Sequence, residues 1–320
     1  MELLLQFIML AGGLALILLG ANYLVDGSSS IAKKSGISEF VIGLTIVGIG
    51  TSAPEMVVSF FSAFQGKADM AIGNIVGSNI FNTMLILGVT ALISPLVITR
   101  NNLKKDIPLN IAVTLLLIML GMNHTLFGVG NDQLSRIDGL LLLAIFAWYL
   151  WSSFRSDKEE EDDDEGIVVR GTAVSVLMII GGLAGLIIGG RLFVNGATAL
   201  AQSFGVSDKF IAITVMAAGT SMPELATCVV AALKGRGQLA LGNILGSNIS
   251  NILLILGGSA MITPLSFAGM TTVDLGAVLI SSIFILLSAC MFRKKQLDRV
   301  EGTILILMEA AYMWYLISNI

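Results

Sequence analysis

The segment GTSAPE at 50–55 recurs as GTSMPE at 219–224, and GNIVGSNIFN at 73–82 recurs as GNILGSNISN at 242–251, both at an offset of 169 residues. A chain built from two copies of one unit must fold as two related halves. Each half here places one carboxylate, Glu55 or Glu224, inside an otherwise apolar stretch. The copies extend beyond the motifs. VDG at 25–27 matches VNG at 194–196, LILG at 85–88 matches LILG at 254–257, and Pro54 and Pro95 match Pro223 and Pro264.

Hydrophobic residues make up 55% of the 320 and charged residues 12%, with a mean hydropathy of +0.90. A water-facing surface cannot be covered by so few polar side chains, which excludes a soluble domain and points to a polytopic membrane protein. A helical span needs about 20 mostly apolar residues, and ten such runs are present: 3–25, 37–64, 70–95, 106–123, 133–153, 167–196, 206–233, 238–263, 271–292 and 300–319. They are too long, and too free of period-2 alternation, for a transmembrane barrel. Five spans per copy is an odd number, so the second copy enters the bilayer from the opposite side. The expected architecture is an all-α membrane protein of ten transmembrane helices in two inverted five-helix repeats. These occupy 1–154 and 167–320, joined by an acidic linker at 155–166.

The basic residues agree. With both termini outside, 14 Lys and Arg fall in inner loops and only four, Lys67, Arg136, Arg191 and Lys209, remain outside, as the positive-inside rule requires. Lys33 and Lys34 lie inside in copy one, and their counterparts Gln202 and Ser203 lie outside and are neutral. The linker RSDKEEEDDDEG repels itself and stays hydrated, which makes it a disordered tether; it lacks the alternating ligands and turn glycine of an EF-hand loop. No Lys or Arg precedes the first apolar run, so that run is expected to remain as a helix. Compact loops without a targeting peptide suit a prokaryotic inner membrane. Cys228 and Cys290 have no metal-ligand spacing and read as packing residues, His124 as a surface histidine, and Asp26 as an interfacial residue.

Within the second and seventh spans, Gly and Pro in Gly-Thr-Ser-x-Pro-Glu should open the helix near Gly50–Pro54 and Gly219–Pro223. Lipid offers no partner to carbonyls freed there, and a cation can be one. Thr51, Ser52, Thr220 and Ser221 add hydroxyls, and Glu55 and Glu224 add charge. In the third and eighth spans, Ser78 and Asn82, like Ser247 and Asn251, stand at i and i+4 on one helix face. Asn79 and Asn248 point about 100° away and are expected to bond between helices. Glycines 73, 77, 242 and 246 form GxxxG patterns read as close packing. An all-oxygen ligand set suits hard cations such as Ca²⁺ and Na⁺, and a carboxylate held within the membrane is by default a functional-site hypothesis.

These paired motifs resemble the alpha repeats of the cation/calcium exchanger superfamily, most nearly the sodium/calcium exchangers, including prokaryotic and potassium-dependent members. Motif similarity spans 37–96 and 206–265. The resemblance implies two inverted five-helix halves with an ion cluster at mid-membrane and Glu55 and Glu224 as shared central ligands. By the same resemblance Thr51, Ser52, Ser78, Thr220, Ser221 and Ser247 line flanking sites, the carbonyls of Gly48 and Ala217 serve as backbone ligands, and Asn82 matches a family asparagine. Asn251 departs, because sodium/calcium exchangers often carry aspartate there. The implied activity is antiport of Ca²⁺ against Na⁺, the two ions being cargo and the bilayer the surroundings. No cofactor, nucleic acid or obligate protein partner is expected. A potassium-dependent or proton-coupled exchanger on the same scaffold is the alternative. A channel lacks a filter-like carbonyl run, and an intramembrane enzyme lacks HExxH and a membrane-buried histidine to activate Ser52 or Ser221.

Overall fold

The computed structural model describes residues 2–128, 130–156, 167–204, 217–291 and 295–318. The first half contains α1 (Glu2–Ser35), α2 (Glu39–Thr51), α3 (Ala53–Phe64), α4 (Ala68–Ile93), α5 (Ile107–Gly121), the short α6 (Asn123–Phe127) and α7 (Arg136–Ser156). The second contains α8 (Thr172–Ser203), α9 (Ala217–Thr220), α10 (Met222–Leu233), α11 (Gly237–Ile262), α12 (Thr272–Met291) and α13 (Arg299–Ser318). Among the described residues, seven helices are long and apolar enough to cross a membrane, or eight if the bent pair α2 and α3 counts as one span. Most of the linker and the start of the span predicted at 206–233 lie outside the described residues.

Helix ends differ from the predicted spans for local reasons. α1 runs past 25 to Ser35, because nothing in DGSSSIAKKS breaks a helix. Lys33 and Lys34 in its last turn complement the C-terminal dipole, and Gly36, at φ 64°, takes the left-handed position that ends it. α8 begins at Thr172 rather than 167, since Arg170 N bonds Ser30 Oγ at 2.8 Å instead of starting a helical turn. Asp26 consequently lies within α1, where it pairs with Lys234.

The motif helices form the centre. In the most apolar window of α11, 94% of residues are buried, against 72% in α4 and 17% in α1. α1 and α8 cross each other closely at Gly20 and Gly182, where a Cβ on either glycine would stand 2.7 Å from the other's carbonyl oxygen. The GxxxG reading holds for Gly242 and Gly246, which touch the α2 backbone. Among the described residues it does not hold for Gly73, near only the Met270 methyl at 3.7 Å, or Gly77, with nothing within 4 Å.

Two antiparallel bridges of two residues each tie the halves together. β1 (Leu96–Val97) pairs with β4 (Gln296–Leu297), setting Leu96 opposite Leu297. β2 (Gln133–Leu134) pairs with β3 (Leu265–Ser266), setting Leu134 opposite Leu265. The bridges are counterparts: β1 corresponds to β3 at the 169 offset, and QLSRIDG at 133–139 corresponds to QLDRVEG at 296–302. The same capping pattern starts both following helices, with Asp138 accepting from Ser135 N (2.8 Å) and Glu301 from Asp298 N (2.9 Å). Loops assigned to the inner side meet one another: β1 with β4, Gln238 Nε2 with Val97 O (2.6 Å), and Arg236 with Glu39 (3.7 Å). Loops assigned outside do likewise, β2 with β3 and Phe267 N with Asp132 O (2.9 Å). His124 is exposed on α6. Cys290 is exposed, so it does not pack within the chain, whereas Cys228 is buried.

Candidate functional site

The site forms where the two interrupted helices meet. At Ser52 (φ −78°, ψ 9°) the chain leaves helical geometry and α3 departs from α2 at 48°. At Ser221 (φ −89°, ψ 6°) the same break separates α9 from α10. Pro54 and Pro223 each sit in the first turn of the helix that follows, where a missing N–H costs nothing. What proline removes is the amide that would have continued the preceding helix, so the interruption is written into the Gly-to-Pro spacing. One turn on, Glu55 and Glu224 point inward, 0% and 1% exposed.

The two breaks are linked crosswise. Ser52 Oγ donates to Glu224 Oε1 at 2.9 Å, and Ser221 Oγ donates to Glu55 Oε1 at 3.2 Å. Thr220 interacts with the Glu55 carboxylate and Thr51 with that of Glu224. Ser78 reaches Glu55 Oε1 at 3.5 Å. Each carboxylate is therefore held by hydroxyls of the opposite half, and among the described residues no Lys or Arg pairs with either.

α4 and α11 close the site, and both widen into a π-helical turn beginning at the motif's last asparagine: Asn82–Ile86 and Asn251–Leu256. Such turns admit a residue out of register and often accompany functional positions. Asn79 and Asn248 bond between the helices, with Asn79 Nδ2 to Asn248 O at 3.1 Å and Asn248 Nδ2 to Thr83 Oγ1 at 2.8 Å. Asn82 and Asn251 join the same network through their amide groups, at 3.2 Å to Asn248 Oδ1 and 2.9 Å to Asn79 Oδ1. This fixes both side chains and leaves their carbonyl oxygens free.

At this site four buried acceptors have no hydrogen-bond partner among the described residues: Glu55 Oε2, Glu224 Oε2, Asn82 Oδ1 and Asn251 Oδ1. They come as two pairs related by the repeat. Orphaned oxygens of this kind are expensive unless a cation satisfies them, so the donor set fits an oxygen-seeking ion.

Not every expected ligand is free. The Gly48 carbonyl accepts from Ser247 Oγ (3.1 Å) and Thr51 Oγ1 (3.4 Å), so it is tied into the wall. Ala217 opens α9, and its side chain lies outside the described residues. The sequence reading passed over the asparagine at the second position of each GNxxGSN. Asn74 Nδ2 donates to Ser59 Oγ (3.0 Å) and to the Glu55 carbonyl (3.3 Å). Asn243 Nδ2 donates to Cys228 Sγ (3.2 Å), and its Oδ1 accepts from Thr51 (3.1 Å). Cys228 is thus the counterpart of Ser59 and a polar partner rather than packing alone. The recurrence of that asparagine in both copies was the available signal.

Asn251→Asp replaces an amide that donates to Asn79 Oδ1 with a carboxylate oxygen facing that same oxygen. The ion-free protein is expected to lose about 1–3 kcal/mol, the scale of a broken buried hydrogen bond. Thermal unfolding with and without Ca²⁺ checks this: Ca²⁺ should restore more stability to the variant than to the parent.

The description "Sodium/calcium exchanger protein" fits residues 5–155 and 174–318. The sodium/calcium exchanger MaX1 of Methanosarcina acetivorans is 33% identical, the alignment covering 96% of this chain and 97% of that one. The inner membrane protein YrbG of Escherichia coli is 35% identical over 92% and 91%. The solved sodium-calcium exchanger NCX_Mj soaked with 10 mM Na⁺ and zero Ca²⁺ superposes with a TM-score of 0.82 at 31% identity, covering 96% of this chain and 97% of that chain. On these matches, and on the helices that carry them, the chain is a multi-pass membrane protein of the sodium/calcium exchanger family, a family of antiporters.

Proposed function

We propose that this chain exchanges Ca²⁺ for Na⁺ across a prokaryotic cell membrane by alternating access, with both ions competing for one cage centred on Glu55 and Glu224. The observation that carries this reading is the set of four orphaned buried oxygens, two of them carboxylate, contributed equally by the two halves. Thr51, Ser52, Ser78, Asn82, Thr220, Ser221, Ser247 and Asn251 line the cage, and Gly48 and Ala217 complete its wall. The halves are inverted five-helix repeats at 1–154 and 167–320, ten spans in all. The reciprocal serine bonds, the reciprocal asparagine bonds and the paired bridges support that symmetry, since each contact has a counterpart with the halves exchanged. Both termini face outward, supported by the grouping of basic inner loops.

Ca²⁺ neutralises both carboxylates, and Na⁺ ions do the same. The empty cage holds two negative charges away from water, a state too costly to change sides readily, so transport is exchange and not leak. Alternating exposure follows from moving one helix group against the other around the fixed site. Net charge moved couples to voltage at about 2.3 kcal/mol per charge per 100 mV, and an inward sodium gradient drives calcium out of the cell.

The test is ion replacement in reconstituted vesicles. Radiocalcium uptake should require Na⁺ inside, and should persist when K⁺ is omitted or the pH gradient is collapsed. Uptake that continues without Na⁺ but stops without K⁺ or a proton gradient would transfer the protein to a different coupling ion. Calcium-dependent conductance with no counter-ion would make it a channel.

A further inference from the structure

We infer a second ligand site, for a phosphate oxyanion, in a cavity among the loops assigned to the inner side, lined by none of the residues of the carboxylate cage. The cavity has a volume of about 280 Å³ and is bounded by α1 through Asp26 and Ser29, by the extended segment before α8 through Ile167, Val168 and Arg170, and by the loop after α10 through Lys234 and Arg236. This is several times the ~30 Å³ that one water occupies in the liquid.

Its chemistry is that of an anion site. Three of the four charged side chains lining it are basic. Asp26 is matched by Lys234, and Arg236 approaches Glu39 only at 3.7 Å. The Arg170 guanidinium has no ion pair among the described residues. The Ser29 hydroxyl, 3% exposed and without a hydrogen-bond partner among the described residues, lines the same cavity and is a buried donor in want of an acceptor. Arg236 is the N-cap residue of α11 and Arg170 precedes Gly171, the N-cap of α8; neither cap makes a side-chain hydrogen bond. Uncapped helix N-termini carry partial positive charge and favour phosphate. Two arginines, a lysine and a buried serine lining one space supply the donor types of a phosphate cradle, with Arg170 the one whose charge has no ion pair among the described residues.

The surroundings favour a phosphate carried by an anionic phospholipid. Val168 and Val169 beside the cavity are 66% and 49% exposed, and the exposed Val174 and Leu177 continue that apolar surface along α8. A headgroup seated among the arginines would lay its acyl chains there. Basic pockets between helices at the inner surface suit anionic headgroups. Such a ligand would fasten α1, the start of α8 and the α10–α11 loop to one another. Nothing in this inference depends on which ions the carboxylate cage takes.

The test counts bound lipid on the full chain. Protein purified with phosphatidylcholine is titrated with phosphatidylglycerol, and retained anionic lipid is followed by native mass spectrometry. A parallel arm uses inorganic phosphate. The parent is expected to retain phosphatidylglycerol in preference to phosphatidylcholine. R170Q with R236Q should weaken that retention about tenfold or more, S29A less, and R170K with R236K less than the glutamine pair. K104Q, an exposed inner-side charge outside the cavity, should leave it unchanged. Competition by inorganic phosphate at millimolar concentration without lipid preference would keep the site but assign it to soluble phosphate. Retention unchanged in the glutamine pair, or reduced equally by K104Q, would overturn the site. Should the glutamine pair fail to fold, the S29A and lysine variants decide the same question.

Discussion

Glu55→Gln and Glu224→Gln are each expected to reduce sodium-dependent radiocalcium uptake in vesicles by at least about a hundredfold while leaving a folded protein. Glutamine preserves volume and one acceptor oxygen, so the serine bond from the opposite half can persist: Ser221 to position 55, Ser52 to position 224. What disappears is one of two charges, and the oxygen now without a partner becomes an amide that presents hydrogens to the ion. Breaking a buried charge pairing costs roughly 3–5 kcal/mol, which is about two to three and a half orders of magnitude in occupancy. The cost falls on the ion-bound state alone. In ion-free buffer the same substitution removes an uncompensated buried charge, so thermal unfolding should stay level or move upward. Stability retained together with uptake lost separates ion coordination from a structural role. Glu→Asp, which keeps the charge but withdraws it by one methylene, should fall between. Undiminished uptake in either glutamine variant would remove the carboxylate cage from the mechanism.

The sequence carried the centre of this molecule more completely than its edges. Gly, Pro and Glu at fixed spacing dictate where a membrane helix must break and where charge must follow, so both interruptions and the inward carboxylates were legible from the two motifs. The i, i+4 spacing proposed a shared face for Ser78 with Asn82 and for Ser247 with Asn251; the hydrogen bonds send Ser78 to Glu55 and Ser247 to the Gly48 carbonyl, and both asparagines to the asparagine network. The division of labour among the asparagines was not legible. It depends on the π-helical turns at Asn82 and Asn251, which admit a residue that a regular 3.6-residue period does not count. The second repeat pair, QLSRIDG and QLDRVEG, escaped because its offset is 163 and not 169, and a fixed-offset comparison skips it. Helix lengths were underestimated at α1 and α8, which continue to Ser35 and Ser203 beyond their apolar runs, α1 with Lys33 and Lys34 in its last turn. The role of Cys228 was open to the same comparison, since its counterpart at the 169 offset is Ser59; the shared asparagine contact then shows the thiol standing where the other half has a hydroxyl.

Gly246→Ala should be the most damaging addition of a single methyl group among the described glycines. A Cβ there would collide with Leu44 through its carbonyl oxygen, Cα and carbonyl carbon, all of them backbone. A flexible side chain could rotate away; a helix backbone cannot, so α2 and α11 must separate. Overpacking a filled core costs typically 1–3 kcal/mol, and the upper part of that range is expected where only main chain can yield. The displacement would also reach the site, because the next residue, Ser247, donates to the Gly48 carbonyl at 3.1 Å and Gly48 accepts again from Thr51 at 3.4 Å. Pushing α2 outward breaks the first bond and tilts the turn that presents Thr51 and Ser52 to Glu224. The variant should therefore unfold several degrees lower than the parent and, at temperatures where it remains folded, transport about tenfold more slowly at limiting Ca²⁺. Gly12→Ala, on an exposed face with nothing within 4 Å, supplies the matched control for adding a methyl to a glycine of a long apolar helix. A Gly246→Ala protein as stable and as active as Gly12→Ala would mean that α2 and α11 do not hold the close contact on which the alignment of Gly48, Thr51 and Ser247 rests.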